Sequence, residues 1–168
     1  MGYFKDLREH IAALDKAGLL VKIDEQINKD TELMPLVRWQ FRGLSEEQRR
    51  AFMFTNVIDA KGRKYDIPVV VGTLAASRQI YGFGLQCKPE EIVERWSHAQ
   101  SNPIAPKIVE NAPVHEVVYM GSSLLEKGGL GEFPIPISTP GYDCAPFTTA
   151  SHWFTRDPET GIINVGNY

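Results

Sequence analysis

The stretch "TRDPETGIINVGNY", Thr155–Tyr168, has the signature of a β-hairpin. Asp157 can accept hydrogen bonds within the turn, Pro158 has a fixed φ angle that suits a turn, and Gly161 can adopt the left-handed conformation. The flanks "TTASHWFTR" and "IINVGNY" are rich in the threonine, aromatic and β-branched residues that favour strands. Because glycine is costly inside a strand, Gly166 indicates either a bulge or a ligand lying against the backbone.

The segment before the hairpin has a different composition. "GGLGEFPIPISTPGYDCAPF", residues 128–147, contains four prolines and four glycines, which disfavour regular secondary structure. A flexible linker would have few large apolar side chains, whereas this segment has several. We therefore predict an ordered segment packed along a surface through the side chains of Phe133, Ile135, Ile137, Tyr142 and Phe147.

Residues 1–125 contain several amphipathic helical patterns. Apolar residues from Phe4 to Ala17 recur at helical spacing and predict a helix that Gly18 ends. A second helix is predicted in "NKDTELMPLVRWQFRGL", with Asp30 or Thr31 as its N-cap. Two further helices are predicted in "LAASRQIYGFGL" and "KPEEIVERWSHAQ".

Short apolar runs between these helices predict strands. "LLVKID" is one, and we expect three others, "AFMFTNV", "IPVVVGT" and "VHEVVYMG", to share one sheet, with "IDAKGRKYD" as a hairpin loop. The alternation of helices and strands predicts the α+β class. The expected organisation is a small α+β domain over residues 1–125, followed by a proline-rich connection and hairpin over residues 126–168.

The overall composition excludes some classes of partner. The formal net charge of −3 gives no reason to expect nucleic acid or an anionic membrane. No apolar run approaches the roughly 20 residues that span a bilayer, and charges interrupt the N-terminal helix too often for a signal peptide. The two cysteines, Cys87 and Cys144, lie far apart, so we expect reduced thiols in a cytoplasmic protein.

Short motifs identify no chemistry by themselves. The sequence contains no nucleophile elbow, zinc-protease helix, P-loop or dinucleotide-binding glycine pattern. "GFGLQCK" lacks a third glycine and a leading strand, and the histidines have no metal-ligand spacing. The residues alone thus predict a soluble α+β domain with a candidate site at the last hairpin.

Five segments follow one another in an informative order: "LAASRQIYGFGL", "SNPIAP", "VHEVVYMG", "FPIPISTPGYDCAPFTTA" and "TRDPETGIINVGNY". Together they resemble the UbiD family of reversible (de)carboxylases. In that family a "GSR" or "ASR" helix follows a buried strand, and a proline-rich segment leads into another strand. A "DPETG" turn and an "N-x-G-x-Y-R" strand come next.

The resemblance implies a flavin-dependent carboxy-lyase. Enzymes of this family hold prenylated FMN, whose phosphate is bound through a divalent metal, typically Mn²⁺, beside K⁺. The modified flavin forms an adduct with an aromatic or α,β-unsaturated acid, from which CO₂ leaves. The implied partners are a small aromatic acid as substrate, a flavin prenyltransferase that supplies the cofactor, and further copies of the chain in a homo-oligomer.

The family pattern can be transferred residue by residue. Asn164 matches a metal ligand, and the backbone at Val165 approaches the K⁺ site. The positions that match the flavin-binding stretch are Thr149, Asn164, Gly166, Asn167 and Tyr168. The family's catalytic arginine and glutamates match no residue of this sequence, so no catalytic residue is assigned. In the segment "STPGYDCAPFTTA", Tyr142, Cys144 and Ala145 depart from the small residues and glycine of the family.

The resemblance therefore implies about the N-terminal third of such an enzyme. That part contains the small α+β domain and the first hairpin of a split β-barrel that binds flavin, and it is expected to be inactive alone. Two alternatives stay open, a non-catalytic subunit that needs a partner to complete the flavin site, and an FMN-binding split-barrel redox protein. The sequence does not identify the acid, the direction of reaction, the oligomeric state, or whether the end at Tyr168 is natural.

Overall fold

A computed structural model describes residues 3–105, 107–126, 128–148 and 150–167. The α-helices are α1 (Leu7–Lys16), α2 (Leu33–Gly43), α3 (Arg78–Leu85), α4 (Ile92–Ser101) and α5 (Ser123–Glu126). The strands are β1 (Leu20–Ile23), β2 (Ile27–Asn28), β3 (Ala51–Phe54), β4 (Val57–Ile58), β5 (Lys64–Tyr65), β6 (Val69–Val71), β7 (His152–Arg156) and β8 (Ile163–Asn167). The predicted mixture of helices and small sheets is confirmed.

Two of the sheets are built from the same three chain segments. Each segment consists of two consecutive strands, one in each sheet. One sheet has the order β1-β3-β6 and the other the order β2-β4-β5. The first segment (β1, β2) runs parallel to the middle segment (β3, β4), and the third segment (β5, β6) runs antiparallel to it. The middle segment therefore lies at the centre of both sheets. A third, separate sheet consists of β7 and β8 alone.

Local sequence signals explain where the helices begin. Asp6 caps α1 by accepting a hydrogen bond from the N–H of Glu9, and Ser77 caps α3 in the same way from Ile80. The prediction for α2 was wrong by one to two residues, because its N-cap is Glu32 instead of Asp30 or Thr31. The Asp30 carboxylate is engaged elsewhere, with the Lys29 ammonium at 2.5 Å and the Ala60 N–H at 3.0 Å.

The core consists of two apolar clusters. One lies between α2 and the two sheets and contains Ile27, Leu33, Val37, Phe54, Val57 and Tyr65. The other lies between α1, α3 and the first residue of β3, and contains Leu14, Leu19, Ala51, Ala76 and Ile80. Since Ala51 and Phe54 both belong to β3, this strand joins the two clusters.

The sheet prediction was partly wrong. "AFMFTNV" and "IPVVVGT" do pair, as β3 and β6, but "VHEVVYMG" (residues 114–121) forms no strand. A short 3₁₀ turn, Pro113–His115, occupies its start. Its apolar side chains are exposed, including Val114 at 78% and Met120 at 75%. The segment has no regular alternation of polarity, and no described strand pairs with it.

The proline-rich segment is ordered, but the prediction that it packs through its large apolar side chains was partly wrong. Ile135 and Ile137 are half-buried, whereas Phe133, Phe147 and Tyr142 are 47%, 58% and 89% exposed. Pro134 is buried, and the N–H of Ile137 donates to the carbonyl oxygen of Lys29 at 3.3 Å. Arginine side chains of the preceding domain donate to two of its carbonyl groups. The segment thus lies against the surface formed by β2, β5 and α2.

Candidate functional site at the C-terminal hairpin

The turn of the hairpin is organised by one carboxylate. Asp157 Oδ1 accepts hydrogen bonds from the N–H groups of Thr160 at 2.7 Å and Glu159 at 2.8 Å. These bonds hold the pKa of Asp157 below its usual range, with the Thr160 N–H as the larger cause. Gly161 has φ +73°, and its N–H donates to the Asp157 carbonyl oxygen at 2.9 Å. The predicted roles of Asp157 and Gly161 are confirmed.

The two strands pair without interruption. Asn164 lies opposite Thr155, and Gly166 lies opposite Trp153. The one-to-one register from Arg156–Ile163 to His152–Asn167 contains no bulge. A bulge therefore does not explain Gly166. The remaining interpretation is a ligand that lies against the backbone at this position.

The hairpin has two chemically different faces, because directly opposed residues of an antiparallel pair share a face. One face carries Trp153, Thr155, Asn164 and Gly166. The other carries the apolar residues Phe154, Ile163 and Val165, with His152 and Arg156 at its two ends. We name the first the amide face and the second the apolar face.

Asn164 is available for an external partner. Its side chain is exposed, and the described part of the chain offers it no hydrogen bond or ion pair. The neighbouring position on the amide face is Gly166, which adds no side chain. An amide oxygen beside bare backbone is a suitable place for a hard cation or a polar ligand.

The structure brings only some of the predicted site residues together. Asn164 and Gly166 share the amide face, whereas Val165 belongs to the alternate positions on β8. Asn167 lies opposite His152 at the end of the ladder. The predictions for Thr149 and Tyr168 fall outside the described residues.

A groove of about 570 Å³ lies where the hairpin meets the rest of the chain. Strand β6 and the loop after it form one wall, and the proline-rich segment forms the other, through Phe133 to Pro136. Phe147, Thr148, Ala150 and Ser151 line the end of the groove next to β7. The hairpin therefore begins at an apolar groove rather than in open solvent.

Sequence reasoning missed the two β7 residues of the amide face. Trp153 and Thr155 contribute to it because of the register, and Trp153 is 53% exposed. "SHWFTR" predicts a strand but has no regular alternation of polarity, because Trp153 and Phe154 are adjacent. The face on which each residue lies follows only from its pairing partner on β8.

Other candidate features have structural explanations. The glycines of "GFGLQCK", Gly82 and Gly84, both lie inside α3, not in a phosphate-binding loop. Among the described residues, no three His, Cys, Asp or Glu side chains form a group able to hold a metal ion. Cys87 and Cys144 are free. None of the helices in the described ranges is long and apolar enough to cross a membrane.

Comparison with known protein families gives one match that covers more than half of the chain. Residues 11–100 match the profile of the 3-octaprenyl-4-hydroxybenzoate carboxy-lyase N-terminal domain, which is the N-terminal domain of UbiD. The matched residues include both core clusters, helix α3 and most of helix α4. The chain therefore belongs to the UbiD family.

Similar proteins extend this finding over the whole chain. An uncharacterized protein of Aquifex aeolicus is 30% identical over 189 residues, covering 100% of this chain and 36% of that protein. An evolved dimeric form of the UbiD-class enzyme HmfF from Pelotomaculum thermopropionicum, in complex with prFMN, superposes with a TM-score of 0.73 at 26% identity, covering 98% of this chain and 35% of that one. The apo 3,4-dihydroxybenzoic acid decarboxylase from Enterobacter cloacae gives a TM-score of 0.77 at 26% identity, with 99% and 34% covered. The chain thus spans about a third of the length of these relatives.

Proposed function

We propose that this chain is part of a UbiD-class carboxy-lyase that reversibly decarboxylates an aromatic or α,β-unsaturated acid with prenylated FMN as cofactor. Family membership supports the reaction class, and a structural relative that holds prFMN supports the cofactor. The observation in this chain that carries the proposal is the amide face, on which an unpartnered Asn164 lies next to Gly166. We place that face, as the first hairpin of a split β-barrel, along the flavin.

The residues of the hairpin fit prenylated FMN whose phosphate is bound through Mn²⁺. Mn²⁺ accepts neutral amide oxygens as ligands, and Asn164 offers one on an exposed strand. Gly166 allows the backbone to lie close to a planar ring system, since no Cβ intervenes. A phosphate dianion needs neighbouring cations, and the proposed Mn²⁺ and K⁺ would supply them near Asn164 and the Val165 backbone.

The hairpin would bind and orient the cofactor; it would not transfer protons. When bound, the modified flavin supplies the covalent chemistry by which CO₂ leaves the acid. Asn164 would fix the metal beside the flavin phosphate, and Trp153 on the same face would exclude water from one side of the site. We assign no catalytic acid or base to this sequence, and we expect the chain alone to be inactive.

Replacement of Asn164 tests the proposal in the full-length protein. We expect Asn164→Ala to lower metal affinity by more than about tenfold, the lower end of the loss seen even when a group supporting a metal ligand is removed. Bound flavin should fall with the metal, because the phosphate loses its anchor. Elemental analysis for manganese and the visible absorption of the flavin are the measurements.

Glu159→Ala is the matched control, because Glu159 lies in the same hairpin and donates to Asp157 through its backbone N–H, which alanine keeps. The control should keep wild-type manganese and flavin. Wild-type stoichiometry of both in Asn164→Ala would show that Asn164 is not a ligand. A wild-type protein without decarboxylase activity on any unsaturated or aromatic acid, even when loaded with prenylated FMN, would contradict the proposed reaction class.

A further inference from the structure

Two arginines of the N-terminal domain donate to backbone carbonyl groups far away in the sequence. Arg63 Nη1 donates to the carbonyl oxygen of Gly131 at 2.9 Å. Arg38 Nη2 donates to the carbonyl oxygen of Ser138 at 2.5 Å and lies 3.2 Å from Thr139 Oγ1. The two contacts bracket residues 131–139, in the middle of the proline-rich segment.

These carbonyl groups need such donors. The prolines remove N–H groups, and after the 3₁₀ turn Gly129–Glu132 the segment forms no described helix or sheet ladder, so few of its carbonyl groups have regular partners. A guanidinium group supplies several N–H donors in a rigid plane and keeps its charge at all physiological pH values. Hydrogen bonds from a charged donor are also stronger than those from a neutral one.

Neither arginine is occupied by a carboxylate. Within the described ranges, the ion pairs join Lys22 to Asp15 and Lys29 to Asp30, and none involves Arg38 or Arg63. Both guanidinium groups therefore direct donors at the segment instead of at an acidic neighbour.

The exposed Arg63 side chain packs on the ring of Tyr65. The guanidinium carbon lies 5.1 Å from the centre of this ring, which is 6% exposed. The Tyr65 hydroxyl lies 3.2 Å from Asp59 Oδ2 and 3.4 Å from the Gly131 carbonyl oxygen. Burial raises the pKa of Tyr65, and the Asp59 carboxylate adds to this effect, so the hydroxyl remains a donor at neutral pH.

Residues 131–139 determine where the hairpin starts. Between the two arginine contacts, the Ile137 N–H donates to the Lys29 carbonyl oxygen, and Lys29 is itself buried in an ion pair with Asp30. Beyond them, Asp143 Oδ2 accepts from the Thr139 N–H at 2.6 Å. The Phe147 N–H then returns to the Pro136 carbonyl oxygen at 3.4 Å. The chain is thereby led back along the groove to the first residue of β7.

We propose that Arg38 and Arg63 are positioning residues, which hold residues 131–139 on the N-terminal domain and so fix the place of the hairpin that carries Asn164. The proposal rests on the function proposed above for Asn164, but the contacts themselves belong to this chain. Neither arginine lies on the hairpin, so neither touches the site directly. Their effect reaches it only through the backbone of the segment.

Hydrogen exchange measured by mass spectrometry on the 168-residue chain tests the first step. We expect Arg38→Ala and Arg63→Ala each to accelerate exchange in peptides covering residues 131–147 by about tenfold or more, the effect of losing a charge-assisted hydrogen bond. Peptides covering β3 should keep the wild-type rate. Arg38→Lys should restore part of the protection, because an ammonium group can still reach one carbonyl oxygen.

Arg42→Ala is the matched control, because it removes the same charge from an exposed position of the same helix. It should leave residues 131–147 unchanged. Wild-type exchange in that segment of both arginine variants would overturn the proposal. Equal acceleration of β3 would also overturn it, because the arginines would then support the whole fold instead of one segment.

The second step uses the full-length protein. Arg38→Ala and Arg63→Ala should lower the amount of bound flavin severalfold while the thermal unfolding midpoint stays near that of Arg42→Ala. Faster exchange with unchanged flavin content would overturn the link to the hairpin. If the wild-type protein binds no flavin, the function proposed for Asn164 fails. The exchange experiment then still decides whether the arginines position the segment.

Discussion

At the scale of single residues, Asp157 shows how one side chain can define a turn. Its carboxylate accepts from two successive N–H groups, and the Asp157 N–H pairs with the carbonyl oxygen of Ile162 at 2.9 Å. All three bonds close the loop between β7 and β8. Because the carboxylate is exposed, water competes for it, and the turn depends on geometry more than on burial.

The turn should loosen in acid. The pKa of Asp157 is lowered in the folded chain, so the ionised carboxylate stabilises the turn at pH values above the ordinary aspartate pKa. This stabilisation is lost as the pH falls through the lowered pKa. Amide chemical shifts of Glu159 and Thr160, followed by NMR, should titrate with a midpoint below about 3.9, the usual aspartate value.

Asp157→Asn serves as the comparison, because the amide oxygen can still accept while the side chain no longer titrates. In this variant the titration that belongs to Asp157 should be absent from the same amide signals. A midpoint at or above the usual aspartate value in the wild-type chain would contradict the assignment of these hydrogen bonds.

At the scale of elements, helix α3 contains two glycines with different surroundings. A Cβ atom on Gly82 would lie 2.7 Å from the Cys87 carbonyl oxygen, so the turn after α3 would have to move. A Cβ atom on Gly84 would lie 3.8 Å from His10 Cε1, which is an ordinary contact. The two positions therefore separate close backbone packing from helix propensity.

We expect Gly82→Ala to lower the free energy of unfolding by about 1–3 kcal/mol, the usual cost of forcing an extra carbon into a packed site. Gly84→Ala should be neutral or should raise the free energy of unfolding by up to ~1 kcal/mol, because alanine is the better helix former. Denaturant titrations of both variants and the wild type measure the difference. Equal behaviour of the two variants would mean that the backbone near Cys87 does not contact Gly82 closely.

The elements that could be predicted from sequence are those whose signals are local. Asp6 and Ser77 cap helices by contacts within the next turn, and Asp157 and Gly161 form their turn in the same local way. "VHEVVYMG" failed because a strand also needs a partner, which its own residues do not reveal. The amide face needed the β7–β8 register for the same reason, and the arginine contacts to residues 131–139 have no local signal at all.

At the scale of the whole molecule, the core and the hairpin are energetically separate. Neither core cluster contains a residue beyond Phe83. In the hairpin, Phe154 is 73% exposed and Ile163 is 57% exposed. A two-stranded hairpin with an exposed apolar face is only marginally stable in water, so its order depends on what covers that face.

Removal of the hairpin should therefore leave the stability of the core nearly unchanged. We expect a chain that ends at residue 147 to unfold within about 2–4 °C of the 168-residue chain, the shift that ~1 kcal/mol produces at this size. Circular dichroism at rising temperature is the measurement. A fall well beyond this range would mean that the apolar face of the hairpin packs on the core.

The central position of the middle segment also has a consequence for the order of folding during synthesis. Residues of β1 and β2 leave the ribosome before β3 and β4, the only parallel partners that the described residues offer them. Phe54 then enters one apolar cluster and Ala51 enters the other. The cluster that contains Ala51 is incomplete until Ile80 has been synthesised. The cluster that ends at Tyr65 should consequently form first, whereas the other cluster stays open to chaperones until α3 has been made.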